Sequence, residues 1–292
     1  MLTHLSPESA VPSRVVVMGA GGFVGNAIAT RLERDHVPVL RLTRREVDLL
    51  DGDAADRLAA LLRPGDVFIA VSARAPVRDS EMLRDNIALA LAMTRAASRV
   101  ELAHVVNISS DAVYGDLSEP MTEEAVRSPD SLHGAMHLAR EIMFRGDIKA
   151  PLLLLRPSLL YGAGDPHNGY GPNRFLRLAA AGGPIVLFGK GEERRDHVLI
   201  DDVAELATRA IYRRSTGALN IATGTITSFR EIADLVVKLT GRAVEIIETP
   251  RSGPMPHNGY RAFDPGACHA AFPDFAYTPL RQGLAQTIAA TK

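Results

Sequence analysis

The segment RVVVMGAGGFVGNAI constrains this chain more than any other stretch of it. A β-branched run that reads as a buried strand passes through Gly19, Gly22 and Gly25 into FVGNAIATRLERD, which reads as a helix. Glycines at this G-x-x-G-x-x-G spacing permit a tight turn and let the backbone approach a pyrophosphate. They also let the helix lie close on the strand, with its unpaired N–H groups and positive dipole end facing the phosphates. The spacing alone is equally that of a structural turn. Its position between the first strand and the first helix makes it a dinucleotide-binding motif.

The rest of the chain repeats that rhythm. VPVLRLT reads as a second strand, EVDLL as a short third, and DVFIAVSA, AHVVNISS and PLLLLRPS as further strands, with helical stretches between them. Continuous apolar strands separated by helices predict a parallel sheet covered on both faces, the doubly wound α/β (Rossmann) architecture. The Gly- and Pro-rich runs YGAGDPHNGYGPNRF and RSGPMPHNGYRAFDP predict a smaller, loop-rich C-terminal substrate lobe. The expected division assigns residues 13–157 and 196–221 to the dinucleotide-binding domain and 158–195 and 222–292 to the substrate lobe. Residues 1–12, interrupted by Pro7 and Pro12, are expected to form a flexible leader.

Composition narrows the function. With 46% hydrophobic and 23% charged residues the chain is not disordered, and a net charge of -1 gives no reason to expect a nucleic-acid or membrane partner. No apolar run has the length of a membrane span, and the N-terminus lacks the pattern of a signal peptide. The single cysteine, Cys268, excludes an intramolecular disulfide and a cysteine zinc site, and fits a reducing, cytoplasmic setting. The second strand ends LRLTRR, with Thr43, Arg44 and Arg45 where an NAD-binding chain carries an acid. Guanidinium groups suit a 2′-phosphate, so the expected cofactor is NADP rather than NAD.

From about Val15 to Thr287 the chain resembles the extended short-chain dehydrogenase/reductase superfamily of nucleotide-sugar epimerases, dehydratases and reductases. The resemblance is carried by GAGGFVG, TRREVDLLD, NISSDAVYG, GPNRF, GKGEERRDHVLIDDVA and PRSG. It implies a cofactor set of Gly19, Gly22, Phe23, Val24, Gly25, Arg44, Arg45, Asp48, Leu49, Ala73, His137 and Pro157. It aligns Ser110 with the family's catalytic Ser/Thr and Asp111 with an acid of the rhamnose-reductase branch. Tyr114 falls near the expected substrate, where it packs, contacts the substrate or serves as an alternative acid. It further implies that Asn173, Arg195 and Arg251 contact the diphosphate of a nucleotide sugar, and that the chain pairs as a homodimer through helices covering 81–98 and 131–146.

The resemblance breaks at the acid/base. The family places a Tyr and, four residues later, a Lys on one face of the helix after the serine, the Lys lowering the Tyr pKa. Here SLHGAMHLARE puts His133 and His137 at those positions. The chain's lysines, Lys149, Lys190, Lys238 and Lys292, all lie outside this helix. Three readings stay open. His133 exchanges the proton, since imidazole titrates near neutrality unaided, while His137 holds the nicotinamide ribose. Alternatively the site has lost catalysis and the protein binds cofactor or nucleotide without turnover. Thirdly the i,i+4 pair ligates a metal, although no further ligand is evident and no metal is expected.

Overall fold

The apolar runs read as strands are buried along their length, as a sheet covered on both faces requires. Val15–Met18, Val67–Ala70 and His104–Ile108 have no exposed position. The computed structural model describes residues 2–291. In chain order its elements are β1 (Thr3–His4), β2 (Val15–Met18), α1 (Phe23–Arg34), β3 (Val39–Leu42), α2 (Ala54–Leu61), β4 (Val67–Ala70), α3 (Ser80–Ala97), β5 (His104–Ile108), α4 (Leu132–Asp147), β6 (Leu152–Pro157) and β7 (Leu159–Tyr161). They continue as α5 (Pro172–Ala180), β8 (Ile185–Phe188), β9 (Arg194–Leu199), α6 (Ile200–Tyr212), β10 (Ser215–Ile221), β11 (Ile226–Ser228), α7 (Phe229–Thr240), β12 (Ile246–Thr249), β13 (Tyr260–Arg261), α8 (Gly266–Ala271) and α9 (Leu280–Ala290).

Two units result. The first holds the chain up to Gly115, then Glu123–Pro157 and Val203–Ile221. Its seven-stranded sheet has the order β1-β10-β6-β5-β4-β2-β3. All neighbours from β10 to β3 pair in parallel, with Val15 opposite both Val39 and Val67. From β2 the chain winds to β3 on one side and then to β4 on the other. The end of β2, where the glycine loop begins, is therefore the switch point at which doubly wound sheets bind ligands. One face of the sheet packs a core that includes Val16, Met18, Leu42, Leu58, Phe68, Met93 and Phe144.

Three expectations need correction. Thr3 and His4 are not part of a loose leader: they pair antiparallel with Thr216 and Ser215, and His4 Nδ1 lies 2.8 Å from Ser215 Oγ. The edge of β10 offers an unpaired ladder, and this short strand covers it. EVDLL forms turns and no strand. The Glu46 carboxylate accepts from Thr43 N and Oγ1 at 2.8 and 2.6 Å, and Asp48 accepts from Leu50 N at 3.1 Å. Such local side-chain bonds compete with a strand ladder, while Val47 and Leu49 still reach the core. Residues 196–202 belong to the second unit, because β9 pairs with β7, β11 and β13.

That second unit comprises residues 116–122, 158–202 and the chain from Ala222 on. β9 is its central strand, and β8 and β12 form a separate parallel pair. Tyr161, Phe175, Ile185, Leu187, Phe229, Ile232, Val236 and Leu284 share its apolar core. α7 begins with a reciprocal Ser228–Glu231 capping box and ends at Gly241 in the left-handed region, which fixes its length.

A buried ion pair underlies the first unit's sheet. Arg156 on β6 donates to Glu141 on α4 through Nε at 2.8 Å and a terminal nitrogen at 2.7 Å, with both side chains fully buried. Ser109 Oγ donates to the same carboxylate at 2.7 Å. Burial opposes ionisation of Glu141, but the Arg156 bonds outweigh it and hold the carboxyl below its usual range. Removing one member would leave the other charge buried alone. Glu141→Gln is expected to lower the unfolding free energy by about 3 kcal/mol or more, measured by urea titration. An unchanged midpoint would contradict this role for the pair.

Candidate active site

The glycine loop follows β2 as its sequence requires. Gly19 has φ +104°, and a Cβ there would stand 2.7 Å from Ser72 N, at the end of β4. A Cβ on Gly25 would overlap the Gly19 carbonyl oxygen, so only glycine lets α1 begin so close to the turn. Gly22 is the N-cap of α1, and Phe23 and Val24 form its first turn. No side chain caps this end and no acidic residue lies in the first turn, leaving donors and dipole for an anion. The cradle fits a dinucleotide pyrophosphate. Leu49 is buried in the core, and Pro157 is buried at the end of β6. Ala73 is half-buried in the segment after β4.

Beyond β3, Arg44 is 82% exposed and donates from Nε to Asp48 at 2.8 Å. Leu50 N–H and then Arg44 hold the Asp48 carboxyl below its ordinary value. Arg44 uses one nitrogen in this contact, and Arg45 is exposed beside it.

α4 carries the second half of the site. Ser131 caps it by accepting from Gly134 N at 3.1 Å. A Cβ at Gly134 would overlap the Ala112 carbonyl oxygen, so the glycine seats the first turn of α4 against the 3₁₀ turn Asp111–Val113. Ser110 precedes that turn. Its hydroxyl donates to Asp111 Oδ1 at 3.1 Å and accepts from Ala112 N at 3.1 Å. His133 and His137 stack edge-to-face with ring centroids 4.8 Å apart. His137 is buried, and its Nδ1 has no hydrogen-bond partner among the described residues. Burial, then the neighbouring His133 and the Arg140 charge, push its pKa well below the usual imidazole value, so it is neutral. Among the described residues no group of three or more His, Cys, Asp or Glu is arranged to hold a metal ion.

The structure places Tyr114 among the packing residues of the first unit. It is 2% exposed, donates to Asn220 Oδ1 at 2.7 Å and accepts from Arg156 at 2.6 Å. Its hydroxyl is used inside the unit, and burial raises its pKa.

Arg140 escapes a family-based reading. One turn beyond His137, it is 2% exposed and donates to Asn107 Oδ1, Ser72 O and Ala70 O at 2.5, 2.6 and 2.6 Å. Among the described residues no carboxylate pairs with it, and burial lowers its pKa to about 9. It ties α4 to the ends of β4 and β5 and places a positive charge beside His137. A charged residue at a core-facing helix position was the available signal.

In the second unit, Asn173 is absorbed locally: Oδ1 accepts from Gly162 N at 3.1 Å and Nδ2 donates to Asp165 at 2.8 Å. Arg195 and Arg251 come together around the Glu193 carboxylate. His197 is buried with neither ring nitrogen hydrogen-bonded, and burial lowers its pKa to about 3.

The profile described as "NAD dependent epimerase/dehydratase family" matches residues 15–222. The UDP-glucose 4-epimerase of Mycolicibacterium smegmatis is 28% identical over 260 residues, covering 78% of this chain and 83% of that one. The dTDP-6-deoxy-L-talose 4-dehydrogenase (NAD(P)(+)) of Kitasatospora kifunensis is 27% identical over 270 residues, covering 84% of each chain. The solved structure of MoeE5 in complex with UDP-glucose and NAD superimposes with a TM-score of 0.81 at 26% identity, over 95% of this chain and 98% of that chain. Among the described residues no helix is long and apolar enough to cross a membrane.

The buried imidazoles make stability depend on pH. His104 Nε2 donates to Ser215 O at 2.7 Å, and burial lowers its pKa to about 4. Together with His137 and His197 it is neutral in the fold, whereas in the unfolded chain each titrates near 6.5. Below that value the unfolded chain binds more protons, so stability falls as pH falls, by up to about 1.4 kcal/mol per pH unit for each imidazole. The urea midpoint is expected to drop between about pH 7.5 and about pH 5, above the carboxylate range. An unchanged midpoint would show that these rings are not held neutral.

Proposed function

Because the chain belongs to the NAD-dependent epimerase/dehydratase family, we propose that it is an NADP(H)-dependent oxidoreductase or epimerase of nucleotide sugars, with His133 replacing the family's tyrosine as acid/base. The observation that carries this reading is the close seating of α4 at Gly134. It packs the first turn of α4, which carries His133, against the turn that Ser110 caps. A bound dinucleotide would supply hydride exchange at C4 of its nicotinamide. The chain's own residues do the rest. The Gly19–Gly25 turn and the start of α1 hold the pyrophosphate, and Arg44 and Arg45 hold the 2′-phosphate. His137 offers its unpartnered Nδ1 to a ribose hydroxyl.

Ser110 hydrogen-bonds the reacting oxygen, with Asp111 orienting the serine hydroxyl. His133 gives or takes the proton of that oxygen. A tyrosine needs a neighbouring cation to reach neutrality, whereas an imidazole does not, so losing the lysine together with the tyrosine is chemically consistent. Arg195 and Arg251 grip the diphosphate. The exposed Leu132 and Ile142 on α4 support a homodimer through that helix. A second reading, a non-catalytic binder of NADP(H) or nucleotide sugar on the same fold, is favoured by the neutral, buried His137, which cannot carry the lysine's charge.

Incubation of UDP, GDP, dTDP and CDP sugars with the protein and NADP+, and of keto sugars with NADPH, read by chromatography and mass spectrometry, separates the two readings. The first predicts conversion of at least one sugar. It also predicts that His133→Ala loses turnover by about a hundredfold or more while NADPH affinity is retained. Turnover that survives in His133→Ala removes this residue from the mechanism. For the cofactor, the double variant Arg44→Ala, Arg45→Ala is expected to weaken NADPH by about tenfold and leave NADH nearly unchanged in a fluorescence titration. Equal losses for both would overturn the NADP preference.

A further inference from the structure

The two arginines that the proposed function gives to the diphosphate already hold an anion of the chain itself. Glu193 lies just before β9, and its carboxylate is only 8% exposed. One oxygen accepts from Arg195, whose side chain is 6% exposed, and the other stands 3.7 Å from an Arg251 terminal nitrogen. Its backbone carbonyl accepts from Phe229 N at 3.1 Å, which anchors it to the start of α7. Glu192, nearly half exposed, adds a second carboxylate 3.9 Å from Arg251 Nε. Both arginines also donate to carbonyls: Arg195 to Pro256 O at 3.2 Å and Arg251 to Phe188 O at 3.1 Å. Arg251 Nε is buried without a hydrogen-bond partner, so donor capacity remains for a further acceptor.

Charge decides what this arrangement can take. Two guanidiniums facing a diphosphate would offer two positive charges to two negative ones. Arg195, Arg251 and Glu193 between them carry a net charge of one, and Glu192 at the rim offsets that. An added phosphate group then meets a carboxylate within the same cluster, and like charges so close in a partly buried site oppose each other strongly. We propose that Glu193 is a specificity-determining residue: its carboxylate occupies the Arg195–Arg251 pair as an internal anion, and a diphosphate ligand must displace it to bind. The arm therefore discriminates by ligand charge, penalising a diphosphate more than a monophosphate. This inference rests on the reading of Arg195 and Arg251 as the diphosphate-binding pair.

Calorimetric titration of wild type and Glu193→Gln with UDP, UMP and inorganic pyrophosphate, at low and at physiological salt, tests it. Glutamine keeps the shape of the side chain and removes its charge. The expected result is about tenfold tighter binding of UDP and pyrophosphate to Glu193→Gln, a smaller gain for UMP, and a steeper salt dependence. Glu193→Asp, which shortens the side chain by one methylene, should give a gain between the two, and it serves if the glutamine variant does not fold. Affinity for UDP that is unchanged or weaker in both variants overturns the inference, because an acid that merely orders the arginines would cost affinity when neutralised. No binding of UDP or pyrophosphate to any of the three proteins overturns it as well. The proposed function is decided separately, by conversion of nucleotide sugars by the wild type, so failure of one does not decide the other.

Discussion

The fit of α4 against the segment after β5 is the constraint on which the rest of the site depends. At Gly134 the helix approaches the Ala112 carbonyl so closely that no side chain fits between them. That approach fixes the first turn of α4, and with it His133, relative to Ser110 and Asp111. It is held from below by two arginines of different kinds. Arg156 answers a carboxylate, Glu141, in a fully buried two-pronged pair. Arg140 answers only neutral acceptors, two of them carbonyls at the end of β4. A buried guanidinium without a counter-ion is costly unless its donors are satisfied, and here the satisfying atoms are those that border the glycine turn through Ser72. The phosphate loop, the end of β4 and α4 are thus one mechanical assembly, and the imidazole pair sits on it.

Electrostatics then separates the roles of the two histidines. His137, buried and beside Arg140, is kept neutral and has a ring nitrogen to offer. His133 is half-buried at the helix start, and in the proposed mechanism it meets the reacting group. A tyrosine–lysine pair works through a fixed ammonium next to the phenol. In this chain the fixed cation is one turn further along the helix and is engaged with the sheet. That geometry suits a base that needs no assistance.

Much of the architecture was legible because it rests on local chemistry. The apolar runs of β2, β4, β5 and β6 and the glycine turn state their own environment. The substitutions at 133 and 137 were visible for the same reason. Where the reading failed, the deciding partner lay far along the chain. Thr3 and His4 are ordered by Ser215 and Thr216. EVDLL failed for the opposite reason, because Glu46 and Asp48 bond backbone groups within a few residues and override the β pattern. Arg140 and Glu193 were missed because a family pattern directs attention to aligned positions, while their importance comes from burial and from the groups they face.

The central claim is that an imidazole on α4 serves hydride chemistry on a nucleotide sugar. Its most direct test follows deuterium from C4-labelled NADPH into a panel of nucleotide sugars that includes their keto forms, in ordinary water, with unlabelled NADPH in heavy water as the reverse experiment. The account predicts cofactor-derived deuterium at one carbon of one sugar. If no sugar carbon acquires label from either source while cofactor is bound in the same sample, the account is contradicted and the fold serves binding alone.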